Sequence, residues 1–273
     1  MLRLAVRVQR EQAELVLAEL LELAPSGVEE RSLDHATVEY AVYGAPGELP
    51  SLPDLTAAAG EALVEVSTEE VADGWQERWR EFHKPLVLEG RLTVRPPWEA
   101  PGDTPIDVVI DPGRAFGTGA HPTTRLCLEL MLGLDARGRF LDLGCGSGVL
   151  AIAAARLGWA PVLALDNDPA SLEATEQNAR ANGVEIQVRR HDLRVDPMPD
   201  APTVAANLLA PLLMAWTGRL AGGNKPPRRV IASGLETGEA GAVVRAFAGL
   251  GLREVTRRSQ RGWAALLLER SLP

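Results

Sequence analysis

A glycine loop set between a strand and a helix constrains this chain more than any other feature. Phe140–Leu143 is a short apolar run of strand length, Gly144-Cys145-Gly146-Ser147-Gly148 follows it, and Val149–Leu157 has a helical apolar pattern. Glycines let the backbone turn sharply and approach a ligand, because no Cβ intervenes. From about residue 113 onward, strand-length runs alternate with helical patterns. Strands are predicted at Phe140–Leu143, Pro161–Leu165, Val184–Val188, Val204–Ala206, Val230–Ala232, Leu252–Val255 and Trp263–Leu268. Helices are predicted at Val149–Leu157, Pro169–Asn182, Leu208–Leu220 and Glu239–Leu250. Such alternation predicts a parallel sheet covered on both faces. Ligands of such sheets bind at the carboxyl ends of the strands, where this loop falls.

The loop's spacing narrows the ligand. Dinucleotide folds use G-x-G-x-x-G, with the pyrophosphate on the helix N-terminus. This chain reads G-x-G-x-G and then Val149, and it contains no phosphate-cradling GxxxxGK[ST] run. Asp166 closes the second strand, 22 residues after Gly144. A carboxylate there can accept from both hydroxyls of a ribose. The alternative for Asp166 is a helix cap, since Asn167-Asp168-Pro169 also offers capping groups. Asp192 follows the third strand and could reach an adenine amino group. Asn207 ends the fourth strand, where its side-chain oxygen can meet an incoming amine. Asp111 to Thr124 is a glycine-punctuated loop that enters a helix near Pro122, where proline suits the first turn. An NAD-dependent oxidoreductase would need the longer glycine spacing. Ser147 is not in a G-x-S-x-G elbow, which disfavours a serine hydrolase. His35, His83, His121 and His191 lack metal-ligand spacing, so no metal is expected.

The first 68 residues read as a separate α+β unit of order β-α-β-β-α-β, the split βαβ arrangement. Strands are expected at Leu2–Val8, at Gly27–Glu30, over Ala36–Tyr43 and over Ala62–Val66, with helices at Glu11–Leu23 and Pro50–Gly60. Thr68–Lys84 reads as one helix. Its Trp75, Trp79 and Phe82 share a face, as a buried packing stripe or as a substrate-facing patch. Shorter strands follow at Leu86–Leu88, Arg91–Val94 and Ile106–Ile110. Charge is divided unevenly: residues 1–68 hold 4 basic and 12 acidic side chains, and the rest hold 24 and 25. An excess of −8 in the first quarter fits either solubility or a basic partner.

Composition removes other classes. The chain is 46% hydrophobic, too apolar for disorder, and no apolar run reaches the roughly 18 residues of a membrane helix. Met1–Arg7 interrupts its apolar residues with arginines, so no signal peptide is expected. Two cysteines cannot form a disulfide framework, and a reducing cytoplasm is the default. The acidic balance, −9 over the whole chain, argues against direct nucleic-acid binding.

The glycine loop, with Asp142 inside the strand before it and Asp166 after the next strand, resembles the class I S-adenosylmethionine-dependent methyltransferases. The run Asp111-Pro112-Gly113-Arg114-Ala115-Phe116-Gly117-Thr118-Gly119-Ala120-His121-Pro122-Thr123-Thr124 narrows this. With Gly27-Val28-Glu29-Glu30, Gly74-Trp75, Trp79, Phe82, Val94–Glu99 and Asn207-Leu208-Leu209-Ala210, the chain resembles the ribosomal protein L11 methyltransferase family. The resemblance implies a ferredoxin-like α+β domain over residues 1–67 that recognises the ribosomal protein. It also implies a linker helix over 68–84 and a Rossmann-like, seven-stranded methyltransferase domain over 85–273. It places S-adenosylmethionine against Thr123 or Thr124, Asp142, Gly144, Gly146, Asp166, Asp192 and Asn207. Asn207 is the residue it implies in catalysis, and amino groups of ribosomal protein L11 are the substrate. Another protein, a small amine or RNA is the alternative.

Overall fold

The computed structural model describes residues 2–13, 16, 17, 20, 28–44, 49, 50, 52–70, 84–112, 121–222 and 226–270. The chain divides between Phe82 and His83 into two compact units.

The first unit contains β1 (Leu2–Gln9), β2 (Glu29–Ser32), β3 (Thr37–Gly44), α1 (Leu52–Ala59) and β4 (Leu63–Glu70). Its sheet order is β2–β3–β1–β4, and every neighbouring pair is antiparallel. Alternation along β1 sorts the two faces. Leu4, Val6 and Val8 join Val38 and Tyr40 in a core with Val16, Leu20 and Leu55. Arg3 and Arg7 alternate with them and form ion pairs with Glu39, Glu65 and Glu69. Thr68, Glu69 and Glu70 do not open a helix as expected. They continue β4, because β1 is long enough to pair with them: Leu4 lies opposite Thr68 and Leu2 opposite Glu70. Ladder pairing outweighs a local helical pattern here. The aromatic stripe Trp75, Trp79 and Phe82 lies outside the described residues.

The second unit opens with a three-stranded sheet of β5 (Leu86–Leu88), β6 (Leu92–Arg95) and β7 (Ile106–Val109). After α2 (Pro122–Leu132) comes a seven-stranded sheet. It is built from β8 (Phe140–Leu143), β9 (Val162–Asp166), β10 (Gln187–Arg190), β11 (Thr203–Asn207), β12 (Arg229–Glu236), β13 (Leu252–Gln260) and β14 (Trp263–Arg270). The strand order is β10–β9–β8–β11–β12–β14–β13, and β14 alone runs antiparallel to both of its neighbours. The connecting helices are α3 (Val149–Leu157), α4 (Pro169–Ala181), α5 (Ala210–Ala221) and α6 (Ala240–Ala248). Two apolar cores lie on opposite faces of this sheet. One is built around Phe140, Ile152, Trp159 and Met131, the other around Leu143, Leu213, Trp216 and Phe247.

The strands fall where the sequence pattern puts them, but several ends do not: β13, expected to stop at Val255, runs to Gln260. Val184–Val188 was expected as the third strand, but pairing begins at Gln187. Val184 instead donates its amide to Ala179 O at the end of α4, and Val184 and Ile186 pack against the core. Their apolar character serves packing under the helix rather than a ladder. The strand expected at Val230–Ala232 runs on to Glu236, past an irregularity in register between Ala232 and Leu235.

Candidate functional site

The order of the large sheet reverses at β8, which has β9 on one side and β11 on the other. A crevice opens at the carboxyl ends of strands at such a switch point. Gly144, Gly146 and Gly148 all have positive φ there, at 76°, 53° and 81°. Gly144 and Cys145 both donate their amides to Leu165 O, at 2.8 and 3.0 Å. Gly146 donates to Asp166 Oδ2 at 3.0 Å, and Gly148 to Cys145 O at 2.8 Å. These four N–H groups are committed within the chain. A pyrophosphate would need such donors turned outward.

The rim is rich in acceptors instead. Asp142 is 1% exposed, and its Oδ2 accepts from Ala151 N at 3.0 Å. Its buried Oδ1 has no hydrogen-bond partner among the described residues. Burial pushes this carboxyl up to about 7; the Ala151 amide opposes the rise and the charge of Asp166 adds to it. Asp166 accepts from Asp168 N on Oδ1 and from Gly146 N on Oδ2, both at 3.0 Å. Each oxygen keeps a second lone pair, which suits a pair of hydroxyls. The helix cap that competed for Asp166 is made by Asp168, which accepts from Ala170 N at 3.0 Å ahead of Pro169.

Asn207 closes β11. Its Nδ2 lies 3.5 Å from Thr124 Oγ1, and its buried Oδ1 has no partner among the described residues. Thr123 is engaged elsewhere. Its hydroxyl lies 2.7 Å from His121 Nδ1, and its amide donates to the same nitrogen at 3.3 Å. His121 is thus the N-cap of α2, with its ring edge-on to Trp263 at 5.0 Å. Burial holds its pKa below the usual histidine range. Of the two threonines, Thr124 is the one the structure brings to Asn207. Residues 113–120 of the preceding loop lie outside the described residues.

Asp192 follows β10 beside the end of β9, since His191 N donates to Asp166 O at 2.8 Å. Both its carboxylate oxygens receive Arg194, each at 3.0 Å. These bonds hold the carboxyl at about 2. Cys127 and Cys145 are buried free thiols. No three His, Cys, Asp or Glu side chains are grouped for a metal among the described residues. No described helix is long and apolar enough to cross a membrane.

Two positions escaped the sequence reading. Leu208 N donates to Ser233 O at 3.0 Å, which docks the residue after Asn207 onto β12. A Cβ on Gly234 (φ 80°) would stand 2.5 Å from Leu208 O, and one on Gly144 would stand 2.4 Å from Leu208 Cδ2. Asn207 is therefore placed by two glycines that make room for its neighbour. A lone glycine in the run Ile231–Leu235 was the available signal, because glycine within a strand marks a bulge or a close approach.

A Rossmann-like sheet with one antiparallel strand next to its far edge, and with Asp142, Asp166 and Asn207 toward the carboxyl ends of β8, β9 and β11, is the fold of the class I methyltransferases. Within that class, the chain belongs to the ribosomal protein L11 methyltransferase family, whose family model matches residues 50–271. The ribosomal protein L11 methyltransferase of Symbiobacterium thermophilum is 39% identical over 198 residues, which take in 71% of this chain and 65% of that protein. That of Chloroflexus aurantiacus is 38% identical over 227 residues, taking in 72% and 69%. The chain thus spans about two thirds of the length of these relatives. A crystal structure of ribosomal protein L11 methylase from Lactobacillus delbrueckii subsp. bulgaricus superposes with a TM-score of 0.62 at 28% identity, covering 70% of this chain and all of that one.

Proposed function

We propose that this chain transfers methyl groups from S-adenosylmethionine to amino groups of ribosomal protein L11, on lysine side chains, on the N-terminal amine, or on both. The observation that carries the reading is the Asn207 amide, whose oxygen is buried and unpartnered among the described residues at the switch point. An amine brings the N–H donors that such an oxygen lacks. The cofactor fits the rim by charge: its sulfonium and ammonium outweigh its one carboxylate, and the rim offers Asp142 and Asp166, with the Gly144, Cys145, Gly146 and Gly148 amides committed within the chain. Asp166 would hold the ribose hydroxyls, and Asp142 with Gly144 and Gly146 the methionine end.

When bound, the cofactor supplies a methyl group already activated for displacement. The chain's own work is positioning, which accounts for much of the acceleration in such reactions. Asn207 Oδ1 accepts an N–H of the amine and turns its lone pair toward the methyl group. Thr124 Oγ1 steadies the other end of that amide. The amine must be neutral to attack, and a free lysine has a pKa near 10.4. Closing the rim over it removes water and favours the uncharged form. By the same reading, the four-stranded unit recognises the protein substrate, and its acidic excess fits a basic ribosomal protein.

Labelled S-adenosylmethionine tests the substrate. Ribosomal protein L11 should take up label, while RNA and small amines should not; label on RNA alone overturns the reading. Asn207→Ala should lower turnover by at least about tenfold with the melting temperature kept. Unchanged turnover removes Asn207 from the mechanism.

A further inference from the structure

α4 and its C-cap carry a buried polar stripe that the mechanism above does not use. Thr175, Asn178 and Asn182 recur at spacings of three and four, which places them on one face. They are 0%, 3% and 4% exposed. A helix of otherwise polar composition has no packing reason to bury amides. Their hydrogen bonds supply one.

Thr175 Oγ1 donates to Gly146 O at 2.9 Å. Asn178 Nδ2 donates to Ser147 O at 2.9 Å, while its Oδ1 accepts from Asp111 N at 3.0 Å. Asn182 Oδ1 accepts from Val109 N at 2.8 Å, and its Nδ2 donates to Val109 O at 2.6 Å. The two asparagines therefore serve β7 as a neighbouring strand would: they meet the backbone at residues 109 and 111, the alternate positions of a ladder. Asn182 grips β7 and, through the same Nδ2, Asn178 O one turn back at 2.8 Å, but makes no bond to the glycine loop. Asn178 joins the backbone just after β7 to the second half of the glycine loop.

We propose that Asn178 is a positioning residue for the cofactor, holding the Ser147 carbonyl, and with it the Gly146–Gly148 turn, in register with Asp111. The inference rests on the reading of this rim as a S-adenosylmethionine site. A buried amide with both ends satisfied fixes two segments at once, and its loss removes one hydrogen bond from the Ser147 carbonyl and one from the Asp111 amide. Asn182 lacks the glycine-loop bond and is the internal control.

The test uses the full chain and calorimetric binding of S-adenosylmethionine. Asn178→Ala should weaken binding about tenfold. Asn182→Ala should lower the melting temperature comparably yet keep the affinity within about twofold. Asn178→Asp keeps the acceptor for Asp111 N and loses the donor to Ser147 O, so it should bind as weakly as Asn178→Ala. Equal affinities for the Asn178 and Asn182 variants overturn the proposal while leaving the site reading intact. No binding by the wild-type chain overturns both. Should the Asn178 variants not fold, hydrogen exchange of the wild type decides: the cofactor should slow exchange of the Asp111 amide, and an unchanged rate there overturns the proposal.

Discussion

Glu39 and Asp142 are both buried carboxylates, one in each unit, and their surroundings are opposite. Glu39 is 3% exposed at the centre of the four-stranded sheet. Arg3 reaches its Oε1 at 2.5 Å and Arg7 its Oε2 at 2.8 Å. The same arginines continue to Glu69 and Glu65. Burial alone would raise the Glu39 pKa, but the hydrogen bonds from Arg7 and Arg3 outweigh it and hold the carboxyl low. Asp142 has one backbone N–H, an oxygen with no partner among the described residues and a pKa raised to about 7. The first carboxylate is complete as the chain folds. The second is left short of donors at the place where a cationic ligand is proposed to bind. A buried carboxylate whose oxygens are all met needs nothing further, whereas one short of donors suits a ligand that brings them.

The contrast can be broken at the site first. Gly234→Ala forces a side chain into left-handed backbone and against Leu208 O, so it should displace Asn207 and abolish measurable methyl transfer. Retained turnover would show that the bulge does not place Asn207. Next, the buried Asp142 charge should cost stability at neutral pH, on the order of 4 kcal/mol from its rise to about 7. Its folded pKa lies above its unfolded value. Between about pH 4 and 7 the folded chain therefore keeps a proton that the unfolded chain releases, and stability falls as pH rises through that window. Asp142→Asn should raise the melting temperature at pH 7, flatten that slope and weaken cofactor binding, as thermal melts and calorimetry would show.

Glu39→Gln should act in the opposite sense and by less, destabilising the first unit by about 2 kcal/mol because Arg3 and Arg7 lose the shared negative charge and one of its two acceptor oxygens. Glu39 is held below its unfolded value, so its contribution is present above that value and lost as pH falls through the folded one. Chemical denaturation across acidic pH would read this. Cofactor affinity should not move, and a shift matching that of Asp142→Asn would erase the distinction between the two carboxylates. The smallest effect belongs to Asp192, whose oxygens already carry Arg194. Asp192→Ala should weaken cofactor binding by only about threefold.

The parallel sheet and its rim were legible because local signals and global fold agree there. The strand Phe140–Leu143 and the helix Val149–Leu157 have the ends the sequence predicts. Glycines at positive φ, Asp168 and Pro169 at a helix start, and Asn207 at a strand end all act within a few residues of themselves. Signals that act at a distance were misread or missed. Thr68–Glu70 carry a helical pattern, yet β1 recruits them as strand across more than 60 residues of chain. Val184 and Ile186 look like strand and serve as packing. The Asn178 and Asn182 amides bond to backbone some 70 residues away, and no spacing within α4 names that partner.

By itself, then, the sequence determined the layered α/β architecture, the glycine loop, the acids after the strands and the family to which they point. These follow from backbone preferences and apolar period, which each short segment carries in its own residues. Only the tertiary structure decided which of Thr123 and Thr124 meets Asn207, which carboxylates are satisfied, and that Gly234 and Leu208 set the position of the Asn207 amide. Those outcomes depend on distances between segments far apart in the chain, and packing fixes such distances only once the whole sheet has formed.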